Sequence, residues 1–345
     1  MKVRYLLLVC VYILCACNKE NGSEVNSFAD EKKIIKVDSI FADSEKPMGT
    51  IIGLKLWNDV LITKHYGDDF QYSFLDVKTG KLLARWGEIG EAPNEFIDFG
   101  MDFSVQDSLL VFSSAMKKEL NYVSIPTILR GEGEVLVRKE PYPYTAGFRP
   151  LKIVPMGSVK IATGFFKEGL IGLLDNENNL LGTFSDYPFS CGVDGIYKGT
   201  VYQSLIDTNG NRKRLVLSIL CSDIFEIYEE ESGRLVRKYV SPFSHIPQIR
   251  EKEGRYGIDD TQSIAGISAI SVTDDLIYLG YSPLVYCEAQ KKDYTFDEIL
   301  SFDWNGNKVK KYMLPFSVSS FCADEDCIYG VHSKDDEMII YRFIF

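Results

Sequence analysis

The sequence predicts an all-β fold built from repeated antiparallel hairpins. Strand-forming runs rich in β-branched and aromatic residues, such as residues 200–206 and 214–220, flank Asn209-Gly210, a strong hairpin signal. No segment keeps a 3.6-residue apolar period over three turns with helix caps, so few helices are expected. The hairpins also recur along the chain, which is typical of the four-stranded blades of a β-propeller.

Five copies of the repeat share one pattern. Each has an apolar or aromatic strand, a polar turn with Gly or Asn, and an alternating strand with outward Lys or Arg. The turns are centred near residues 80, 131, 179, 233 and 306, which are 51, 48, 54 and 73 residues apart. We therefore expect five blades from these copies alone.

A sixth blade is predicted from the two ends of the chain. Residues 34–41 form a strand with nothing before it to pair with, and the segment from Cys327 to Phe345 supplies strands without a last partner. Pairing these ends would remove two exposed strand edges. The predicted fold is thus a six-bladed β-propeller closed by pairing the N-terminal strand with the last blade. A pair of β-sandwiches is the alternative.

The first residues predict export. Lys2 and Arg4 precede an apolar run of 12 residues, 5–16, which is shorter than the roughly 20 needed to span a membrane. With a small residue, Ala16, before Cys17, residues 1–16 read as a signal peptide. The sequence Leu14-Cys15-Ala16-Cys17 resembles the lipobox of bacterial lipoproteins. The resemblance implies a lipid on Cys17 and an exported protein anchored to the outer membrane. The alternative is an ordinary signal peptide followed by a chance cysteine.

The next segment predicts a flexible tether over residues 17–33, with the propeller domain over residues 34–345. The tether is rich in Asn, Glu, Lys and Ser and has too little apolar surface to order itself. Lys19, Glu20 and Glu24 are also similar to an acidic signal that directs some lipoproteins to the cell surface, which implies a surface-exposed protein.

The net charge of the chain restricts the classes of partner that it is expected to bind. The chain has a formal net charge of −11, which argues against nucleic acid and anionic lipid, because both select clusters of Lys and Arg. No later segment reaches 18 consecutive apolar residues, so the predicted membrane contact is through acylated Cys17.

Cysteine spacing gives no metal site. Cys322 and Cys327 flank four residues, so a hairpin could join them in a disulfide or leave both free. No cysteine or histidine group has zinc-ligand spacing. The Asp- and Asn-rich turns lack the Gly and the acidic residue that an EF-hand calcium loop requires. No metal and no cofactor are therefore predicted.

One longer element follows the first repeat. The stretch from Trp86 to Phe96 contains Gly87, Gly90, Pro93, Glu95 and Phe96. It resembles the Gly-x-x-Gly-x-x-Pro-Gly-Glu-Phe element of secreted six-bladed propellers of the TolB-like and NHL-like superfamily. We interpret it as a structural turn motif in which the glycines turn the chain and Phe96 packs between blades. Alternatively, backbone amides near Gly90 hold a ligand.

Candidate ligand-binding residues come from two segments. Residues 241–266 form the longest irregular stretch and contain His245, Arg255 and Tyr256, while Tyr144 and Arg149 flank another loop. Long loops in compact domains tend to be functional or mobile. We expect these residues at the mouth of the central channel. The alternative is that they form a solvated connection between blades.

No catalytic residue is predicted, because nucleophile-elbow, phosphate-loop, zinc-protease and dinucleotide motifs are missing from the sequence. The favoured function is a lipid-anchored binding or scaffold module for a glycan, peptide or protein. Two alternatives stay open. One is a metal-dependent hydrolase or lactonase with an axial ion held by residues of different blades. The other is an assembly factor with a large apolar face.

Overall fold

A computed structural model describes the propeller and two short N-terminal strands. The described residues are 28, 31–34, 36–42, 49–90, 95–96, 103–114, 116–184, 192–193, 197–209, 213–242, 244–293, 295–335 and 337–345. The predicted signal peptide, Cys17, Pro93 and all of the predicted tether before Phe28 lie outside them.

Two strands precede the first blade: β1 (Glu31–Lys33) and β2 (Lys36–Ala42). Five blades of four antiparallel strands follow. Blade 1 consists of β3 (Thr50–Trp57), β4 (Val60–Tyr66), β5 (Phe70–Asp76) and β6 (Leu82–Glu88). Blade 2 consists of β7 (Phe103–Gln106), β8 (Leu109–Ser114), β9 (Glu119–Ser124) and β10 (Leu136–Pro141), with helix α1 (Ile125–Arg130) between its last two strands. Blade 3 consists of β11 (Phe148–Met156), β12 (Val159–Phe166), β13 (Ile171–Leu174) and β14 (Leu180–Phe184).

Helix α2 (Lys198–Val201) leads into blade 4, which consists of β15 (Ser204–Asn209), β16 (Arg214–Ile219), β17 (Phe225–Glu231) and β18 (Arg234–Val240). A separate hairpin, β19 (Ile249–Lys252) and β20 (Arg255–Ile258), follows. Blade 5 consists of β21 (Ile264–Val272), β22 (Leu276–Val285), β23 (Phe296–Asp303) and β24 (Lys308–Val318), with helix α3 (Tyr286–Gln290) after β22. The last three strands are β25 (Ser320–Ala323), β26 (Cys327–Lys334) and β27 (Glu337–Ile344).

The N-terminal strand closes the ring, as the sequence predicts. In blade 6 the strand order is β2-β27-β26-β25, with Lys36 opposite Ile344 and Ala42 opposite Ile339. The first strands of neighbouring blades contact one another, as β25 does with β3, and these contacts surround the axis of the ring. A six-bladed all-β propeller therefore replaces the β-sandwich alternative.

The domain begins earlier than the predicted boundary at residue 34. Strand β1 pairs in parallel with β24, with Glu31 opposite Lys311. Before it, the Phe28 ring meets the Phe302 ring edge-on, with 5.5 Å between their centroids. Phe28 is the aromatic residue of an otherwise polar segment, and burying it against blade 5 fixes the chain there.

The five predicted turns all join the third and fourth strands of blades 1 to 5. In blade 2 this connection contains helix α1, whose N-cap Ser124 accepts a bond from Thr127 N–H and whose C-cap Gly131 has φ 67°. The long interval before residue 306 reflects the inserted β19–β20 hairpin. The sequence interpretation of this stretch as irregular was wrong: Glu253 and Gly254, with φ 54° and 73°, form a tight turn between paired strands.

The apolar core is divided among the blade junctions. Six buried clusters lie between neighbouring blades, one cluster to each junction of the ring. Each blade thus buries both faces, which explains why the central strands of the blades, such as Val60–Tyr66, are buried along most of their length.

Two faces of the ring differ in their connections, because neighbouring strands run in opposite directions. The turn face carries the turns between first and second and between third and fourth strands, for example residues 157–158 and 232–233. The loop face carries the turns between second and third strands and the connections between blades, for example residues 220–224 and 241–263.

The disulfide considered between Cys322 and Cys327 is not formed, since both residues are free, buried thiols. Cys322 lies opposite Tyr329, and the N–H of Asp324 donates to the carbonyl of Cys327 at 2.9 Å. The two cysteines are therefore diagonal neighbours across the hairpin. Diagonal side chains are typically about 7 Å apart, whereas a disulfide needs Cβ atoms about 4 Å apart.

Within the described part of the chain, no helix is long and apolar enough to cross a membrane.

Candidate functional site

An ion pair crosses the axis of the ring. Lys55 on β3 of blade 1 donates to Asp207 on β15 of blade 4, with Nζ and Oδ2 2.5 Å apart. Blades 1 and 4 are opposite in a ring of six, so this contact spans the channel. The side chains are 16% and 10% exposed. Lys152 of blade 3 joins them, donating to the Ile206 carbonyl at 2.6 Å.

The ion pair bears directly on the axial ion that the hydrolase alternative would require. A divalent ion prefers several anionic or carbonyl oxygens whose charge is not already compensated. Here the Lys55 ammonium compensates the Asp207 carboxylate, and the Lys152 ammonium bonds to the carbonyl of the preceding residue, Ile206. Among the residues that the structure describes, no group of three His, Cys, Asp or Glu side chains is placed to hold a metal.

The channel opens on the turn face into a cavity of about 470 Å³. It is lined by inner turns of blades 2 to 5, namely Val105, Gln106, Asp107, Gly157, Thr208, Asn209, Val272, Thr273 and Asp274. Several of its polar groups tie blades together: Gln106 Nε2 donates to the Pro155 carbonyl at 2.6 Å, and Asn209 Nδ2 donates to the Asp274 carbonyl at 3.0 Å. These polar groups of the lining therefore stabilise the contacts between neighbouring blades.

The inner turns around this mouth are acidic. They carry Asp59, Asp107, Asp274, Asp275, Asp324, Glu325 and Asp326. This face therefore presents negative charge, which agrees with the overall acidity of the chain.

The loop face is different, because it exposes aromatic as well as aliphatic side chains. Those on its turns, connections and strand ends are Ile52, Tyr66, Met116, Tyr144, Tyr197, Ile246 and Val285. The other exposed large apolar side chains among the described residues are aliphatic and lie near the turn-face ends of outermost strands: Val37, Leu83, Val137, Leu180 and Leu181. The exposed aromatic side chains of the described residues, Tyr66, Tyr144 and Tyr197, therefore all lie on the loop face, and aromatic residues are enriched at interaction surfaces.

A pocket of about 540 Å³ opens on the loop face between blades 4 and 5. Its walls are Thr200, Val201, Gln203, Leu220, Cys221, Ile258, Ala265, Ser268 and Tyr286. The segment singled out by sequence, residues 241–266, supplies Ile258 and Ala265. The remaining walls come from α2 and the residues after it, a turn of blade 4, β21 and α3, and their spacing along the chain gives no signal that they meet.

The predicted ligand-binding residues all lie on the loop face but in separate contacts. Lys118 Nζ lies 4.7 Å from the centre of the exposed Tyr144 ring. Arg149 is exposed at the start of β11, and Arg255 is exposed on β20. The half-buried Tyr256 ring lies 5.7 Å from the Tyr197 ring.

His245 belongs to a loop clamp. Asp223 Oδ2 accepts from Ser244 Oγ at 2.5 Å and lies 3.0 Å from His245 Nδ1, and the backbone N–H groups of both residues also donate to this carboxylate. A catalytic triad would need the serine on Nε2 and the aspartate on Nδ1. Here Ser244 Oγ and Asp223 share Nδ1. The arrangement therefore fixes the loop and is unsuited to activating Ser244.

The hydrogen bonds to Asp223 also change the pKa of its carboxyl group. Although burial alone would raise the pKa of Asp223, the hydrogen bonds from Ser244 and His245 outweigh it and lower this pKa below its usual value.

The predicted turn motif has a tight geometry. Gly87 has φ 82°, and a Cβ on Gly90 would lie 1.9 Å from Oε2 of Glu95. The Phe96 ring lies 5.1 Å from Trp86 of blade 1 and 5.2 Å from Phe112 of blade 2. The described part of the motif therefore joins two blades, and Gly90 N–H is directed at the Phe96 carbonyl at 3.3 Å.

Comparisons with known proteins agree with this architecture. A family model described as TolB-like, 6-blade propeller-like, matches residues 28–326. A Bacteroides fragilis protein, named as one expected to be exported, superposes with a TM-score of 0.60 at 11% identity, covering 94% of this chain and 97% of that one. A member of the DUF4221 family from Bacteroides vulgatus superposes with a TM-score of 0.56 at 9% identity, covering 90% and 96%. The search of curated proteins found no match.

Proposed function

Since this chain belongs to the TolB-like family of six-bladed propellers, we propose that it uses the ring as a rigid, non-enzymatic binding module. The observation that carries the proposal is the asymmetry of the two faces. The loop face exposes aromatic and aliphatic side chains around a pocket, while the turn face is acidic and its polar groups hold blades together. The partner is a protein, a peptide or a glycan that docks on the loop face.

The same proposal includes export and a lipid anchor. It is supported by the signal-like residues 1–16 and the lipobox-like Leu14–Cys17 stretch, and by the structural likeness to a Bacteroides protein named for export. Replacing Cys17 with serine should abolish incorporation of a fatty-acid analogue and release the protein from the membrane fraction. Continued labelling of the variant would contradict the anchor.

The binding role is tested with two matched variants. The loop-face variant changes Tyr66, Met116, Tyr197 and Val285 to serine. The edge variant changes Leu83, Val137, Leu180 and Leu181 to serine. All eight side chains are exposed, so neither set should lower stability much.

Peptide and glycan arrays probed with the unmodified chain supply the ligands for this comparison. Truncating central aromatic anchors typically costs more than about 1 kcal/mol each, so the loop-face variant should bind at least tenfold more weakly. The edge variant should bind like the unmodified chain. Equal binding by both variants, or no binding to either array, would contradict the proposal.

A metal-dependent hydrolase is the rival, and the ion pair between Lys55 and Asp207 argues against it. A carboxylate cluster that depends on an ion loses stability when the ion is removed. We expect the thermal midpoint to stay unchanged in EDTA. A drop of several degrees that calcium or magnesium reverses would favour the hydrolase over the binding module.

A further inference from the structure

Three short elements meet on the loop face at the corner between blades 4 and 5. Helix α2, the inserted β19–β20 hairpin and helix α3 all reach it, and each contributes a wall to the 540 Å³ pocket. The hairpin is held there because Ile249, Tyr256 and Ile258 pack against the core between blades 3 and 4. A pocket of this volume lies in the range that proteins use for small ligands and anchoring side chains.

The walls are uncharged. Val201, Leu220, Ile258 and Ala265 supply apolar surface, and hydroxyl or amide groups supply the polar part. A charged group entering this pocket would lose its hydration without gaining an ionic partner from the walls. The lining therefore selects an uncharged group with an apolar body.

Two further observations fit such a ligand. The Oγ atom of Ser268 is buried and has no hydrogen-bond partner among the described residues, so it is available to an incoming donor or acceptor. Burial raises the pKa of the Cys221 thiol to about 12. This wall thus stays neutral and unreactive at physiological pH.

We propose that the pocket receives an apolar side chain of a peptide segment, with the neighbouring backbone of that peptide bonding to Ser268 and to groups at the rim. The inference rests on the proposed binding function and names the class of its ligand. A peptide offers an apolar side chain flanked by backbone N–H and C=O groups, which match the hydroxyls of Thr200 and Ser268 and the amide of exposed Gln203. A sugar ring carries hydroxyls on most carbons, and these apolar walls could satisfy few of them.

The test uses capped tripeptides as probes and saturation-transfer NMR on the full mature chain. Ac-Gly-Leu-Gly-NH₂ and Ac-Gly-Phe-Gly-NH₂ should bind, with a Kd in the millimolar range, at least fivefold more tightly than Ac-Gly-Asp-Gly-NH₂ and Ac-Gly-Lys-Gly-NH₂. Maltotriose serves as the sugar arm. Binding of maltotriose without binding of the apolar tripeptides would overturn the proposal in favour of a glycan.

Variants locate the binding. Ala265→Phe places a ring in the pocket and should abolish tripeptide binding, whereas Ala146→Phe, on the same face but at another blade junction, should leave it unchanged. Ser268→Ala should weaken binding about fivefold without lowering stability, because Ser268 Oγ has no bond to lose. If Ala265→Phe fails to fold, tripeptide binding by Ser268→Ala tests the pocket assignment instead. Unchanged binding by Ser268→Ala would overturn the pocket assignment.

The loop-face variant separates this inference from the proposed function. Its substituted residues lie outside the pocket walls, so it should still bind the apolar tripeptides while losing the larger partner. If tripeptides fail to bind but the loop-face variant still loses the array ligand, the pocket assignment fails and the binding module survives.

Discussion

The ion pair at the axis shows how single residues set the chemistry of the channel. Lys55 and Asp207 come from opposite blades, and both are largely shielded from solvent. Burying two charges is costly, and their attraction offsets that cost only while both are present. The pair therefore crosses the channel and neutralises a carboxylate that could otherwise attract a cation.

Replacing Lys55 with methionine should destabilise the protein by about 3–5 kcal/mol, because Asp207 is left as an uncompensated buried charge. The double variant Lys55→Met/Asp207→Leu should recover most of the loss. Urea unfolding of both single variants and the double variant measures the coupling. Strictly additive free energies would show that the two residues do not stabilise each other.

Because Asp223 holds the loop that contains His245, we expect its stabilising effect to depend on pH. The pKa of Asp223 is lowered in the folded state. Its contribution to the free energy of unfolding is therefore fully present above the unfolded pKa of about 3.9. That contribution is lost as the pH falls through the folded pKa. Asp223→Asn should cost about 1–3 kcal/mol at pH 7. The difference from the unmodified chain should narrow below pH 4. Denaturation at pH 7 and pH 3 checks this, and a constant difference would contradict the link.

At the scale of elements, turns of the same type differ in what surrounds them. Gly233 and Gly306 both lie in turns between third and fourth strands, with φ 79° and 84°. A Cβ on Gly233 would meet open space, whereas one on Gly306 of blade 5 would lie 2.4 Å from the ring of Tyr239 in blade 4. Gly306 therefore serves both the turn and the junction between blades 4 and 5.

Gly233→Ala should cost about 1–2 kcal/mol, the usual cost of a left-handed conformation. Gly306→Ala should cost a further 1–3 kcal/mol or so, because overpacking displaces Tyr239. Thermal and urea unfolding compare the two. In a Tyr239→Ala background the two substitutions should become similar, and a persistent gap there would contradict the steric explanation.

The elements also show which features the sequence could predict. Turns near residues 80, 179, 233 and 306 were predictable because Gly or Asn must occupy positive-φ positions at local spacing. The β19–β20 hairpin was missed because its turn, Glu253-Gly254, lies within a charged run without strong alternation. The walls of the loop-face pocket could not be predicted, since Val201, Leu220 and Tyr286 meet only after the blades close, and no local pattern encodes that contact.

At the scale of the whole molecule, the N-terminal segment holds two blades. β1 lies along the outer edge of blade 5 and β2 completes blade 6, so a short stretch of chain fastens the last junction of the ring. The bond between Arg342 and Asp38, 2.9 Å long, lies on this closing strand.

Truncations should separate these contributions. Removing residues up to 27 should leave the thermal midpoint unchanged. Removing residues up to 34 deletes Phe28 and β1, and should lower the midpoint by several degrees. Removing residues up to 42 exposes the edge of β27 and should cost a large part of the folding free energy, which is about 5–15 kcal/mol for a domain. Circular dichroism melts measure all three, and equal midpoints for the shortest and longest deletions would refute the closure.

The closing strand also sets the order of events during folding. Asp38 and its partner Arg342 are 304 positions apart, so β2 must wait for β27, which is synthesised much later. Contacts of such long range form slowly, because the intervening chain must be brought together before they stabilise anything. The ring consequently stays open while the chain emerges from the ribosome, and a chain cut short before β27 has no strand with which to shut it. Closure thereby acts as a late check that all six blades are present.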